Sequence, residues 1–402
     1  GPLPRGDMPP PAAAAARRPE VLVVGAGCTG ALTAAFFRRE AAGRQGVAAP
    51  RLTVWEWGRG PAGRMSSFWA EVGGERALAD MGAQVVSVRD QEQLPPWLFP
   101  HLVPAEPAGL AATAERGASG WHHFHAPAGL AALQRASLEE ARPEELHFSR
   151  RVVELTPLAT AGAAPRWRVG YGGAQGGRRP VGSGVFDLVV FAGTSRDAEG
   201  LEGLRRALSP EQQRALAAVG YDHRLCLGLV LRPELEQRLE ALCGGRAELA
   251  PPESPQQPLS LVALQGAKGR SCGGKACAVV LHSTPRFAAE NLRGAKRANQ
   301  PPSQAGARAL TAALASLLGL PTRELEAAVL DSKTVHWRQC QVRQPLRQAP
   351  GAVGCLLAEA APGLLLAGDY LAGPEAAGSF EGCALSARAA ARAACDLLFG
   401  AP

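Results

Sequence analysis

The stretch Val21-Leu22-Val23-Val24-Gly25-Ala26-Gly27-Cys28-Thr29-Gly30 decides how the N-terminal part of this chain folds. Four apolar residues, three of them β-branched, predict a buried parallel strand. A G-x-G-x-x-G pattern follows directly, and Ala31-Leu32-Thr33-Ala34-Ala35-Phe36-Phe37-Arg38-Arg39 continues as a helix. Strand, glycine turn and helix in this order form the context of a dinucleotide-binding fingerprint. Gly25 permits the turn, Gly27 lets a pyrophosphate approach the backbone, and Gly30 lets the helix pack on the strand. The helix N-terminus offers free N–H groups and about half a positive charge to phosphates. A second β-rich run, Leu52-Thr53-Val54-Trp55-Glu56, ends in an acid placed to accept the hydroxyls of a ribose. Glu56 lies 26 residues beyond Gly30, past the usual separation of about 20, and the loop 43–50 absorbs the difference.

The 402 residues suffice for two domains. The chain is 46% hydrophobic and 20% charged, as expected for a globular protein. No run approaches about 18 consecutive uncharged apolar residues, so no membrane span is predicted. The net charge of +7 comes almost entirely from arginine, since there are only four lysines. No basic run is interleaved with aromatics, which argues against nucleic-acid binding. Nine cysteines without a repeating pattern read as buried or free thiols of a reducing compartment. His122, His123 and His125 lack cysteine or carboxylate neighbours at ligand spacing, and no metal site is expected. Residues 1–19, rich in Pro, Ala and Arg, are expected to be disordered. A cytoplasmic location follows, or an organellar one if this tract is the remnant of a transit peptide.

Along the chain, a glycine-rich loop at 58–67 carries Arg59 and Arg64, and Asp80-Met81-Gly82-Ala83-Gln84 turns into a short strand. Residues 91–109 contain five prolines and read as irregular. A helix is expected to about residue 141, then half-buried strands at 146–155 and 166–171 and a buried strand at 186–193. From 201 to 354 helices are expected at 201–218, 233–243, 304–318 and 322–329, and strands at 224–231, 259–264, 277–284 and 333–337. A buried strand at 363–370 and an alanine-rich helix at 384–398 close the chain. The expected fold class is α/β, a Rossmann-like domain assembled from 20–90, 125–200 and 355–402. A second, α+β substrate domain comprises 91–124 and 201–354.

Several of these landmarks, in order, resemble the flavoprotein superfamily of monoamine oxidases and p-hydroxybenzoate hydroxylase, and within it the renalase family. The resemblance rests on residues 21–30, Gly-Arg-Met-Ser (63–66), Asp-Met-Gly-Ala-Gln (80–84), Ala-Pro-Ala-Gly-Leu (126–130) and Phe-Asp-Leu-Val-Val (186–190). His-Trp-Arg-Gln-Cys-Gln-Val (336–342) and Ser-Phe-Glu-Gly-Cys (379–383) complete it. It implies noncovalent FAD in a p-hydroxybenzoate hydroxylase-like topology. The implied cofactor contacts are Gly25, Ala26, Gly27, Thr29, Gly30, Glu56, Arg64, Met65, Gln84, Val153, Gly368, Asp369, Phe380, Glu381 and Gly382. Three departures stand out: Pro-Ala-Gly-Arg (61–64) replaces Gly-Gly-Arg, Gly-Asp-Tyr (368–370) replaces Gly-Asp-Gly, and Arg-Gln-Pro-Leu-Arg follows Val342.

The resemblance further implies oxidation of 2- or 6-dihydronicotinamide dinucleotides, NAD(P)H isomers carrying the hydride at the wrong ring position. Oxygen takes the electrons and yields hydrogen peroxide. Such chemistry needs positioning more than acid–base machinery. Tyr221, His282, Trp337 and Tyr370 are the candidate pocket residues. Two alternatives stay open, an FAD-dependent amine oxidase and a nucleotide-binding sensor or scaffold without turnover. An amine oxidase would call for an aromatic cage and a lysine near the flavin, and the strand 224–229 carries no lysine.

Overall fold

A computed structural model of the chain describes residues 17–401, apart from 45–47, 112–119, 159–165, 174–176, 178, 255, 271, 293–303 and 348–353. Most of the tract expected to be disordered, residues 1–16, lies outside the described residues. Arg17 and Arg18 do not fit that expectation. Arg17 pairs with Asp187, and Arg18 pairs with Glu144 at 2.9 Å and donates to the carbonyl of Ala49 at 2.7 Å.

The apolar run at the start becomes the strand Glu20–Val24 near the middle of a six-stranded sheet. Its parallel neighbours are Arg51–Trp55, continuing to Glu145–His147, and Leu188–Phe191, continuing to Leu364–Ala367. An edge strand, Cys355–Leu357, runs antiparallel beside Leu364–Ala367. The fingerprint helix Cys28–Ala42 and the last helix Phe380–Phe399 cover one face. Ala31, Ala34, Ala35 and Ala41 meet Ala390, Ala391, Ala394 and Cys395 there, and side chains this small let the helices approach closely. Trp55, Trp167, Phe186 and Phe191 fill the opposite face, beneath an antiparallel meander of Arg151–Leu158, Arg166–Gly172 and Gly182–Phe186.

The expected strand 146–155 is two strands belonging to two sheets. The chain turns between them at Ser149, whose φ is +59°, and the Ser149 N–H donates to Gly58 O at 2.8 Å. The expected helix 201–218 also breaks, into Glu202–Ala207 and Pro210–Ala217. Ser209 starts the second piece with a capping box to Gln212, followed by proline at the first helical position. A hairpin, Ser67–Val72 with Glu75–Asp80, turns at Gly73-Gly74 and was not anticipated, although paired glycines are a hairpin signal.

The second sheet is antiparallel, in the order Glu248–Leu249, Leu259–Leu264, Cys277–Ser283, Arg224–Leu231, Val329–Trp337. Strand alternation separates its faces. Leu225, Leu227, Leu229 and Leu231 pack with Leu310 and Leu314 of the helix Gln304–Leu317, while Cys226, Val280, Leu261 and Ala263 turn toward Met81. The proline-rich segment 91–109, expected within the substrate domain, forms short 3₁₀ turns, including Pro96–His101. Trp97 there stacks edge-on against Phe36 of the fingerprint helix at 5.3 Å and donates to Ser137 Oγ at 3.2 Å. Among the described residues no helix is long and apolar enough to cross a membrane.

Candidate functional site

A cleft of about 2480 Å³ runs from the fingerprint to the second sheet, so both halves of the chain contribute to one cavity. At its fingerprint end Gly25 adopts φ +101° and donates its N–H to Trp55 O at 2.7 Å, which fixes the turn. A Cβ at Gly30 would lie 2.0 Å from the Gly25 carbonyl oxygen, so only glycine lets the helix start this close to the strand. Gly27 faces the cleft, with only the Cα of Gly63 within 4 Å of where its Cβ would stand. The helix that begins at Cys28 has no side-chain cap, which leaves its first N–H groups available to an anion. Glu56 lines the cleft and ties the turn together, accepting from Ala26 N at 2.7 Å and from Gly58 N at 2.5 Å. Thr29 and Val153 also line this end. Beside them the Arg150 guanidinium lies 4.3 Å over the Tyr171 ring. Ala26 and Gly30 are buried behind the wall and support it.

Midway, Arg64 and Asp369 meet across the cavity. Arg64 donates to Asp369 Oδ1 at 2.7 Å and to Cys340 O at 3.1 Å. Burial opposes the charge on Arg64, but the Asp369 carboxylate outweighs it and holds the guanidinium protonated, above its ordinary range. Met65 and Gly368 line the same stretch. Ala62, at the departure from Gly-Gly-Arg, adopts φ +152°, a conformation that L side chains rarely take. Such strain costs on the order of 1–3 kcal/mol. Cys28 also lines this stretch, and its hydrogen bond with Cys383 together with burial pushes the thiol well above its usual value, so it stays neutral.

The last helix presents its N-terminus to the cleft. Ser379 caps it, its Oγ accepting from Gly382 N at 3.0 Å, and Phe380 and Cys383 line the cavity. Glu381 does not reach the cavity, because its carboxylate turns inward to Arg89 at 2.9 Å. Gly382 is buried on the far side, where a Cβ would stand 2.2 Å from Ala376 O. The Gln84 side chain is also committed inward, so at the cleft this residue offers its main chain.

At the far end His282 and Trp337 line the cleft, with Ser260, Leu261 and Arg224. Trp337 is clamped by donating Nε1–H to Met81 O at 2.8 Å. The two tyrosines do not join them. Asp369–Leu371 is a single 3₁₀ turn, in which successive side chains diverge by about 120°. Asp369 therefore faces the cavity while Tyr370 enters the core, 1% exposed. Burial first, and then Tyr221, pushes the Tyr370 phenol well above its usual value. Tyr221 packs against the same core, and its hydroxyl accepts from Ser195 N at 3.1 Å.

His336 lines the cleft and was overlooked as a candidate, although it opens the motif that supplied Trp337. Burial, then Arg338 and His223, lowers its pKa from 6.5 to about 4. Between those values the unfolded chain binds a proton that the folded chain refuses, so stability falls as pH drops through this window. Replacing His336 with Leu is expected to flatten the acid-side decline of the melting temperature between pH 6.5 and about 4. An unchanged slope would assign that decline to other groups.

His122 and His123 hydrogen-bond through Nδ1 to Gln91 at 3.0 Å and Ser87 at 2.8 Å. Among the described residues no three His, Cys, Asp or Glu side chains gather to hold a metal ion.

Comparison with known proteins places this geometry. The chain is 28% identical to renalase from Mus musculus over 217 residues, 52% of this chain and 57% of that protein. The match thus spans little more than half the length of that relative. The crystal structure of an Exiguobacterium sp. 255-15 protein provisionally named protoporphyrinogen oxidase superimposes with a TM-score of 0.63. That likeness covers 93% of this chain and 98% of the other at 11% identity, and is one of fold. Residues 104–395 match the model of the family described as flavin containing amine oxidoreductase. With that match over most of its length, the chain belongs to the flavin containing amine oxidoreductase family.

Proposed function

We propose that the chain holds FAD noncovalently along this cleft and oxidises isomeric dihydronicotinamide dinucleotides, passing the electrons to oxygen with formation of hydrogen peroxide. The residues present fit FAD. The uncapped helix at Cys28 and the open space over Gly27 suit a pyrophosphate, and Glu56 stands where a ribose would lie. Arg64, Met65 and Asp369 would flank the ribityl chain, with Val153 near the adenine. The N-terminus of the helix Phe380–Phe399 would supply N–H donors and a positive field to the electron-accepting end of the ring. Bound FAD would accept the hydride and reduce oxygen.

What remains for the chain is positioning. Trp337, fixed through Met81 O, offers a flat indole face to a planar substrate ring. His282 projects from the same face of the sheet as Cys226, the face that Val335 and Trp337 share on the neighbouring strand, whereas His336 pairs with Leu225 on the other. The observation that carries the proposal is one cavity in which the fingerprint and this aromatic, imidazole-lined floor are continuous. The renalase similarity supports the substrate class. The amine oxidase alternative loses support because neither a tyrosine nor a lysine is among the described residues lining the cleft. Anaerobic mixing with 2- or 6-dihydronicotinamide dinucleotide is expected to bleach the flavin absorption within the dead time of manual mixing. If neither isomer bleaches it while an amine does, the donor is an amine.

A further inference from the structure

Four charged side chains and two glutamines are sealed between the cleft wall and the second sheet, and the flavin chemistry uses none of them directly. Lys268 and Glu248 form an ion pair at 2.9 Å with both side chains 0% exposed. Arg270 and Asp80 form another at 2.5 Å, equally buried. Lys268 spends its two other donors on one residue of the wall, Gln84, at 3.2 Å to the main-chain oxygen and 2.9 Å to Oε1. Gln265 donates to Gln84 Oε1 at 3.1 Å and accepts from Asp80 N at 3.2 Å. Gln84 Nε2 in turn donates to Asp80 O at 2.5 Å and to Gly82 O at 3.0 Å. The segment held this way is the one that carries Arg64, because Ala83 N donates to Arg64 O at 3.0 Å and Met81 N to Ser66 O at 2.8 Å.

Stability does not explain this arrangement. Desolvating an ion pair consumes most of what its attraction returns, and well-packed apolar residues commonly serve as well. What ion pairs and amides provide and apolar contacts lack is a fixed register, since each donor has one acceptor at one distance. Lys268, Gln265, Glu248 and Arg270 come from the second sheet and its loops, whereas Asp80 and Gln84 come from the fingerprint side. The network therefore sets where the wall 82–84 stands relative to the floor that faces it.

We propose that Lys268 is a positioning residue for flavin binding, pinning the main chain of Gly82, Ala83 and Gln84 so that Arg64 and the cleft wall are preformed for FAD. This assignment rests on the reading that the cleft seats FAD. The test is FAD titration of the apoprotein of the double variant Lys268→Met/Glu248→Leu, which removes both charges together and strands neither. Its apoprotein is expected to melt within about 4 °C of the parent, while the FAD dissociation constant rises about tenfold. Hydrogen exchange at amides 82–85 of the holoprotein is expected to quicken, with the strand 224–231 unchanged. Should the double variant fail to fold, Gln84→Met decides, since it removes the clamped amide and leaves the Lys268–Glu248 pair intact; the same rise is expected. An FAD dissociation constant within about twofold of the parent in a normally melting variant, or exchange quickened evenly throughout, overturns the assignment. A parent protein that takes up no FAD overturns both this and the reading beneath it, whereas normal uptake with unaltered variants overturns this assignment alone.

Discussion

Gly30→Ala protein is expected to emerge colourless and to bind added FAD on the order of 100-fold more weakly than the parent. The new Cβ would lie 2.0 Å from Gly25 O and 3.3 Å from the Cβ of Ala192. The first of these contacts is with main chain, which no side-chain rotation relieves. The helix Cys28–Ala42 must then lift off the strand, carrying its uncapped N–H groups away from the proposed phosphate seat. A loss of on the order of 100-fold in affinity corresponds to about 2.8 kcal/mol of FAD binding. Overpacking the strand–helix contact adds about 1–3 kcal/mol of destabilisation. Visible absorption and FAD titration of the purified variant measure the first effect, and thermal melting of the apoprotein the second. A yellow protein with parental affinity would show that the helix start is not the phosphate seat.

The second large effect is expected from Arg64→Met. Asp369 is 2% exposed and Arg64 is its ion-pair partner at 2.7 Å. Removing the cation strands a buried carboxylate, for which about 3–5 kcal/mol is usual. The Arg64 side chain is itself 30% exposed to the open cleft, so solvent screening reduces the expected loss to about 2 kcal/mol. The variant is therefore expected to melt below the parent at neutral pH, and its FAD affinity to fall more than about tenfold. Equal melting temperatures would mean that Asp369 does not feel the loss.

The departure at Ala62 bears on both results. Its φ of +152° lies two residues before Arg64, in the turn that bridges to Gly27. The proposed phosphate seat and the Arg64–Asp369 pair are thus joined by a strained stretch of main chain, held in place by the cleft wall on its other side.

Local chemistry was enough to determine the fingerprint. Val21 to Gly30 encode strand, turn and helix within ten residues, because the glycine requirements are set by neighbours a few positions away. The strands 224–231 and 259–264 were legible for a similar reason, since a short apolar run is a local pattern. The division of 146–155 between two sheets was not legible, because it depends on where Gly58 and Glu56 offer carbonyls to Ser149 and Arg150. Nor was the fate of the tyrosines, since residues 369 and 370 differ by one step along a 3₁₀ turn, yet one faces the cavity and the other the core. The buried network was the least visible of all. Glu248 and Lys268 are 20 residues apart, and Gln84 lies 184 residues before Lys268. A charged side chain in a sequence looks solvated, and only the packing of two sheets against one loop removes the water and gives each donor its acceptor.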